Sequence, residues 1–134
     1  MTPDIHKIGR KGEKIAAKFL RRKGLRVLGR NLHFGKNELD IVAKNRQYIV
    51  FVEVKTRTVD TRFEETLENR PSLAVNAEKR RRTVAAAMDY LKTKPTALAP
   101  RFDVVEVYLD RARRGKLFRV NHIEGAFGKG GKRR

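Results

Sequence analysis

The run Tyr48-Ile49-Val50-Phe51-Val52-Glu53-Val54 constrains this chain more than any other stretch. It is β-branched and aromatic almost without a break, as in a strand buried on both faces at the centre of a sheet. Yet Glu53 interrupts it and Lys55 follows at once, while Glu38-Leu39-Asp40 opens another apolar segment upstream. An ionised side chain in such a place costs roughly several kcal/mol unless a partner or a metal ion compensates it. Side chains at i and i+2 of a strand share a face, about 6.6 Å apart. Glu53 therefore shares a face with Lys55, and Glu38 with Asp40. If the two segments pair, Asp40 comes near Glu53 and Lys55, giving two carboxylates and an ammonium at one end of a central strand pair.

Two carboxylates so close repel each other unless a cation sits between them. Mg²⁺ suits the place, and Mn²⁺ in its stead: it takes oxygen ligands, commonly one or two carboxylates, and keeps waters and substrate phosphate oxygens. Such a metal polarises a scissile phosphate and lowers the pKa of a water. Lys55 then orients the attacking water or offsets the charge of the transition state. The plain alternative is a Glu53–Lys55 or Asp40–Lys55 ion pair with no chemistry. For any one of these residues the alternative stands level, but the whole set favours a site, because such charge clusters gather where chemistry is done.

Upstream, Asp4 to Lys23 reads as a helix. Ile8, Gly12, Ile15, Ala16, Phe19 and Leu20 line one face, and Gly24 stops it. Glu13 falls at the edge of that face and borders whatever the helix packs on. Leu25–Leu28, Leu39–Ala43 and Tyr48–Val54 read as three short strands in an antiparallel meander, with Asn45-Arg46 as a turn. Thr56 to Leu73 reads as an irregular loop with Pro71. A second helix runs from about Asn76 or Ala77 to Leu91, with Ala77, Val84, Ala85, Met88 and Leu91 as its apolar side. Arg101–Leu109 is a fourth strand, parallel to the third because a helix lies between them. Lys116–Val120 reads as an edge strand. Residues 1–127 are expected to form a single domain, and 128–134 a disordered basic tail.

The chain carries 33 lysines and arginines against 15 acids, a formal net charge of +18, which points to a polyanion and most simply to nucleic acid. Charge alone would suit a ribosomal-type binding protein, but that class gives no reason for Glu53 and Lys55 on a core strand. Cysteine is absent, which excludes disulfides, thiolate metal sites and a cysteine nucleophile. His6, His33 and His122 stand at no metal-ligand spacing and read as structural or surface groups. A single serine, Ser72, argues against a serine-hydrolase triad, and the glycines form no P-loop. No apolar run is long enough to span a membrane, so the expected place is the cytoplasm, with association to the nucleoid in view. Lys79-Arg80-Arg81-Arg82 opens the second helix. Either it is a solvated face or it contacts phosphates, and the basic context favours phosphate contact by Lys79, Arg80 and Arg82. Arg57, just past Lys55, is placed to meet the scissile strand.

At these residues the chain resembles the PD-(D/E)XK nucleases of the restriction-endonuclease-like fold: Asp40, a gap, then Glu53-Val54-Lys55. Gly12-Glu13, Arg30-Asn31, Glu38-Leu39-Asp40, Phe51 to Arg57, Lys79, Tyr90-Leu91, Arg101 to Val105 and His122 to Phe127 together resemble the bacterial YraN-like family, related to archaeal-type Holliday-junction resolvases. A lone D…ExK is a weak signal, whereas the ordered blocks, covering all but the last basic residues, are a strong one. The resemblance implies an α/β fold with an α-β-β-β-α-β core, a mixed central sheet flanked by helices. It implies that Asp40 and Glu53 bind metal, that Lys55 is catalytic, that Glu13 matches the helical glutamate of the resolvases, and that Glu38 supports its neighbour Asp40. It also implies branched or structured DNA as substrate and a homodimer as the assembly. The chain departs from the pattern at Asn37, where a glycine is usual, and at Arg62-Phe63-Glu64-Glu65, where an aromatic-glycine segment is usual. Two functions follow: a Mg²⁺-dependent endonuclease acting on DNA, or a nucleic-acid-binding protein of the same fold with weak or no activity.

Overall fold

The computed structural model describes residues 4–63 and 77–128. The chain runs α1 (Ile5–Arg22), β1 (Arg26–Phe34), β2 (Asn37–Lys44), β3 (Tyr48–Val59), α2 (Ala77–Thr93), β4 (Ala99–Asp110) and β5 (Lys116–Phe127). The strands form one five-stranded sheet in the order β1-β2-β3-β4-β5. Every neighbouring pair is antiparallel except β3 and β4, which run parallel across the α2 connection. This mixed α/β sheet bears out the expected fold class, including the meander and the parallel fourth strand.

Local chemistry sets the boundaries. Asp4 caps α1, accepting the N–H groups of His6 at 3.0 Å and Lys7 at 3.2 Å. Gly24 ends it at φ +92°, a conformation that favours glycine. Its N–H meets Arg21 O at 3.0 Å, and Leu25 N–H meets Leu20 O at 3.0 Å. Asn45 closes the β2–β3 turn, its Oδ1 accepting Gln47 N–H at 2.8 Å and Tyr48 N–H at 2.7 Å.

Each face of the sheet carries a core. Ala16, Ala17 and Leu20 of α1 pack on Ile41, Ala43, Val50, Val52, Val105 and Val107. Ala86, Ala87 and Tyr90 of α2 pack on Val42, Phe51, Phe102, Val104 and Phe127. β3 and β4 are thus covered on both sides, as the apolar run at 48–54 requires.

Several boundaries and one helix phase need correction. β1 extends to Phe34 rather than stopping at Leu28, because antiparallel pairing of Gly29 with Val42 through Phe34 with Asn37 supplies backbone partners there. β3 continues through Thr56, Arg57 and Thr58 to Val59, where a loop was expected. Parallel pairing of Thr56 with Val107 through Val59 with Asp110 supplies backbone partners that hold these polar residues extended. Residues 64–73 of that expected loop lie outside the described residues. β5 reaches Phe127 rather than Val120, because Phe127 stacks on Phe102 with centroids 5.2 Å apart. The buried residues of α2 are Thr83, Ala86, Ala87 and Tyr90; of the expected apolar side, Val84 and Leu91 pack half-buried against the same core, Met88 is half-buried, and Ala77 and Ala85 are exposed. Tyr90 sets that phase by packing edge-on against Phe51, 5.8 Å between centroids, and Phe34, 6.5 Å. The expected basic tail at 128–134 lies outside the described residues apart from Gly128.

At Gly12, α1 closely approaches Thr56 of β3. A Cβ there would stand 2.8 Å from the Thr56 Cβ and overlap its hydroxyl. Gly12→Ala is therefore expected to destabilise by about 1–3 kcal/mol despite alanine's better helix propensity. Urea unfolding of Gly12→Ala beside Gly12→Ala/Thr56→Ala checks this. The double variant should recover most of the loss, and no recovery would place the cost elsewhere.

Candidate active site

The β2–β3 ladder runs from Lys44 opposite Ile49 to Ile41 opposite Val52, and there it ends. At the next residue Asp40 uses its side chain in place of the missing ladder bond: Oδ2 accepts the Val54 N–H at 2.9 Å. The two strands part at this point, and the carboxylates collect in the opening.

Glu53 is buried, 4% exposed, at the end of the continuous apolar run. Its Oε1 meets Lys55 Nζ at 3.4 Å and Lys79 Nζ, from the first turn of α2, at 3.7 Å. The Asp40 carboxyl is pushed up to about 7, first by burial and then by the charge of Glu53. The Val54 N–H and the more distant Lys79 pull it back, and Glu13 adds to the upward push. Glu13, 8% exposed on α1, is also raised, chiefly by burial. Arg30, with Nε 3.5 Å from Glu13 Oε1, and a hydrogen bond from Asn31 offset part of that rise.

A cavity of about 420 Å³ opens beside these groups, lined among others by Glu13, Asn31, Glu38, Asp40, Lys55 and Arg57. Glu38 is an exposed residue of that lining, 3.7 Å from His33 Nδ1. Glu53 is not part of the lining; its contacts are the two lysines. The structure thus gathers Glu13, Asp40, Glu53, Lys55, Lys79, Arg57 and Glu38 at one end of the sheet. It separates the rest of the basic quartet. Arg80 lies over the Phe127 ring, 5.7 Å from its centroid, and Arg82 is exposed on α2.

Among the described residues, no three His, Cys, Asp or Glu side chains converge as a ready metal cluster. The donor set nonetheless fits a hard divalent cation. Asp40 and Glu53 offer only oxygen, and a cation between them would relieve the repulsion that raises Asp40.

Two features escaped sequence reasoning. Asn31 adopts φ +50° within β1, beside the register where Asp40 faces the cavity. Asparagine tolerates this left-handed conformation better than most residues, and the adjacent Arg30-Asn31 pair was the only signal. The second is Asp103, fully buried in β4. Arg101 pairs with it at 2.9 Å through both Nε and Nη2, His122 Nε2 lies 2.8 Å from its Oδ2, and Gly125 N–H donates at 3.0 Å. Lys23 Nζ stands 2.7 Å from His122 Nδ1. The tautomer in which Nδ1 accepts from the Lys23 ammonium and Nε2–H donates to Asp103 satisfies both contacts. His122 is structural, as expected, and acts within this network. An Arg and an Asp at i and i+2, on one face of an apolar strand, were the available sign.

A mixed five-stranded sheet between two helices, opening at Asp40 and Glu53, defines an α/β protein with a restriction-endonuclease-like core. Residues 12–107 match the model of uncharacterised protein family UPF0102, and the chain belongs to that family. It is 42% identical over 128 residues to a UPF0102 protein of Syntrophotalea carbinolica, covering 95% of this chain and 96% of the relative. A UPF0102 protein of Caldanaerobacter subterraneus is 40% identical, with 90% and 93% covered. One from Phocaeicola vulgatus is 38% identical, with 91% and 93% covered. These matches bear out the YraN-like resemblance. Among the described residues, no helix is long and apolar enough to cross a membrane.

Proposed function

We propose that this chain is a divalent-metal-dependent endonuclease hydrolysing phosphodiester bonds in DNA, with branched or otherwise structured DNA as its substrate class. The observation that carries the reading is the geometry of the parted strand ends: Asp40, held by the Val54 N–H at 2.9 Å, stands with Glu53 and Lys55 where the β2–β3 ladder ends. Asp40 and Glu53 would hold Mg²⁺ or Mn²⁺, and the bound cation supplies Lewis-acid polarisation of the phosphodiester. The water oxygen bonds to phosphorus, one P–O ester bond breaks, and a proton passes to the leaving oxygen. Lys55 offsets the negative charge that gathers on the phosphoryl oxygens. Glu13, its pKa raised by burial on the cavity wall, holds or takes up the proton of the attacking water. Arg57 lines the same cavity and contacts a neighbouring phosphate.

The test is cleavage of linear, flapped and four-way-junction DNA with Mg²⁺ or Mn²⁺, beside Glu53→Gln. Metal-dependent cleavage by the wild type, reduced at least ~10²-fold in the variant, is expected. Cleavage that persists in Glu53→Gln removes the site assignment. A second reading, nucleic-acid binding with weak or no cleavage, is favoured by one observation: Glu53 Oε1 is already engaged by two lysines. Tight, salt-sensitive binding without metal-dependent cleavage of any of these substrates would select it.

A further inference from the structure

At the end of the sheet away from the carboxylates lies an open cavity of about 1010 Å³. The start of β1, the β2–β3 turn and the segment between α2 and β4 form its walls. Its charged lining residues are Arg26, Lys44 and Arg46, and no acidic residue lines it. Arg26 and Lys44 are direct cross-strand partners, an arrangement in which like charges repel. Among the described residues none of the three meets a carboxylate.

The repulsion is built into a stiff frame. Asn45 locks the turn through its two backbone hydrogen bonds, and Ala99 N–H donates to Gln47 O at 3.2 Å, tying the α2–β4 segment to it. Among the described residues the three cations lining this cavity have no carboxylate partner, and an outside anion would supply one.

We propose that this cavity is a second contact site for the phosphate backbone of nucleic acid, separate from the carboxylate end. The inference rests on the nucleic-acid part of the proposed function and not on cleavage. Along β3, from Tyr48 to Lys55, the two ends lie about 23 Å apart at 3.3 Å per residue. That is about seven base pairs of duplex at 3.4 Å each. A continuous backbone of that length reaches from one end to the other, which an isolated phosphate does not.

The experiment measures binding of an end-labelled duplex of about 30 base pairs by anisotropy, without metal, between about 50 and 200 mM salt. It compares the wild type with Arg26→Gln/Lys44→Gln/Arg46→Gln. A control, Lys14→Gln/Lys18→Gln/Arg21→Gln, removes the same charge from exposed positions on α1. The slope of log K against log salt is expected to fall by about 2–3 in the cavity variant and by less than about 1 in the control. The melting temperature of the cavity variant should equal or exceed that of the wild type, since a repulsive pair is removed; this also establishes that the variant is folded. Equal slopes for the two variants would overturn the second site and leave the proposed function standing. Absence of salt-dependent binding by the wild type would overturn both.

Discussion

Asp40→Asn is expected to stabilise the metal-free protein above pH 7 while abolishing metal-dependent cleavage. In the folded chain burial and the charge of Glu53 push the Asp40 carboxyl up to about 7, from an ordinary value of 3.8. Between those values the folded state keeps a proton that the unfolded chain releases, so stability falls as pH rises through the window. Above pH 7 a second negative charge is forced beside Glu53. Asparagine removes it, retains an oxygen for the Val54 N–H, and can turn its amide toward the Glu53 carboxylate. Thermal unfolding at pH 5 and pH 8 reads the effect. The metal-free wild type should melt lower at pH 8 than the variant by several degrees, and the difference should shrink at pH 5. Mg²⁺ should raise the wild-type melting temperature more at pH 8 than at pH 5 and leave the variant unchanged. A variant less stable than the wild type at pH 8 would mean that Asp40 is held by its hydrogen bond rather than strained by its neighbour.

Asp103→Ala is expected to destabilise the fold by about 3–5 kcal/mol, because it leaves a cation without its buried counter-ion. Asp103 is wholly buried, and the Arg101 side chain beside it is only 16% exposed. Arg101 also lies over the Tyr48 ring, 4.9 Å from its centroid, so it cannot swing out to water without losing that contact. Burial alone would raise the Asp103 carboxyl, but hydrogen bonds from His122, Arg101 and Gly125 outweigh it and hold the group below the ordinary carboxylate range. The contribution is therefore complete above about pH 4 and is lost as pH falls through the depressed value. Urea unfolding at pH 7 should give a graded series. Asp103→Asn keeps some of the hydrogen bonds and should cost less than Asp103→Ala. His122→Ala leaves the Arg101–Asp103 pair in place and should cost about 1–2 kcal/mol. Equal losses in all three would show that cavity formation, not charge, sets the effect.

The candidate site was legible because its chemistry contradicts its surroundings. Glu53 and Lys55 stand out on an apolar strand, and a period of two puts them on one face whatever the rest of the chain does. Asp40 could be drawn in because a short turn at Asn45 leaves β2 and β3 little choice but to pair. Glu13 was legible only as a charge at the edge of an apolar helix face. That it stands near Asp40 follows from Gly12, which lets α1 approach Thr56 closely. The basic quartet at 79–82 was read as one patch. The phase of α2, set by Tyr90 against two phenylalanines, sends Lys79 to Glu53 and Arg80 onto Phe127.

Local periodicity and turn chemistry are short-range, so the sequence by itself determined α1 with its Asp4 and Gly24 boundaries, the three-strand meander, the parallel fourth strand and the acidic-lysine pattern. Pairing and burial are long-range, and these only the tertiary structure decided. Strands β3 and β5 run on past their apolar stretches because β4 supplies their hydrogen-bond partners. Asp103 survives in the core because Arg101, His122 and the Gly125 N–H reach it from positions that no local pattern connects. Arg26 and Lys44, eighteen residues apart in the chain, meet as a repelling pair only because the register of β1 on β2 places them opposite each other.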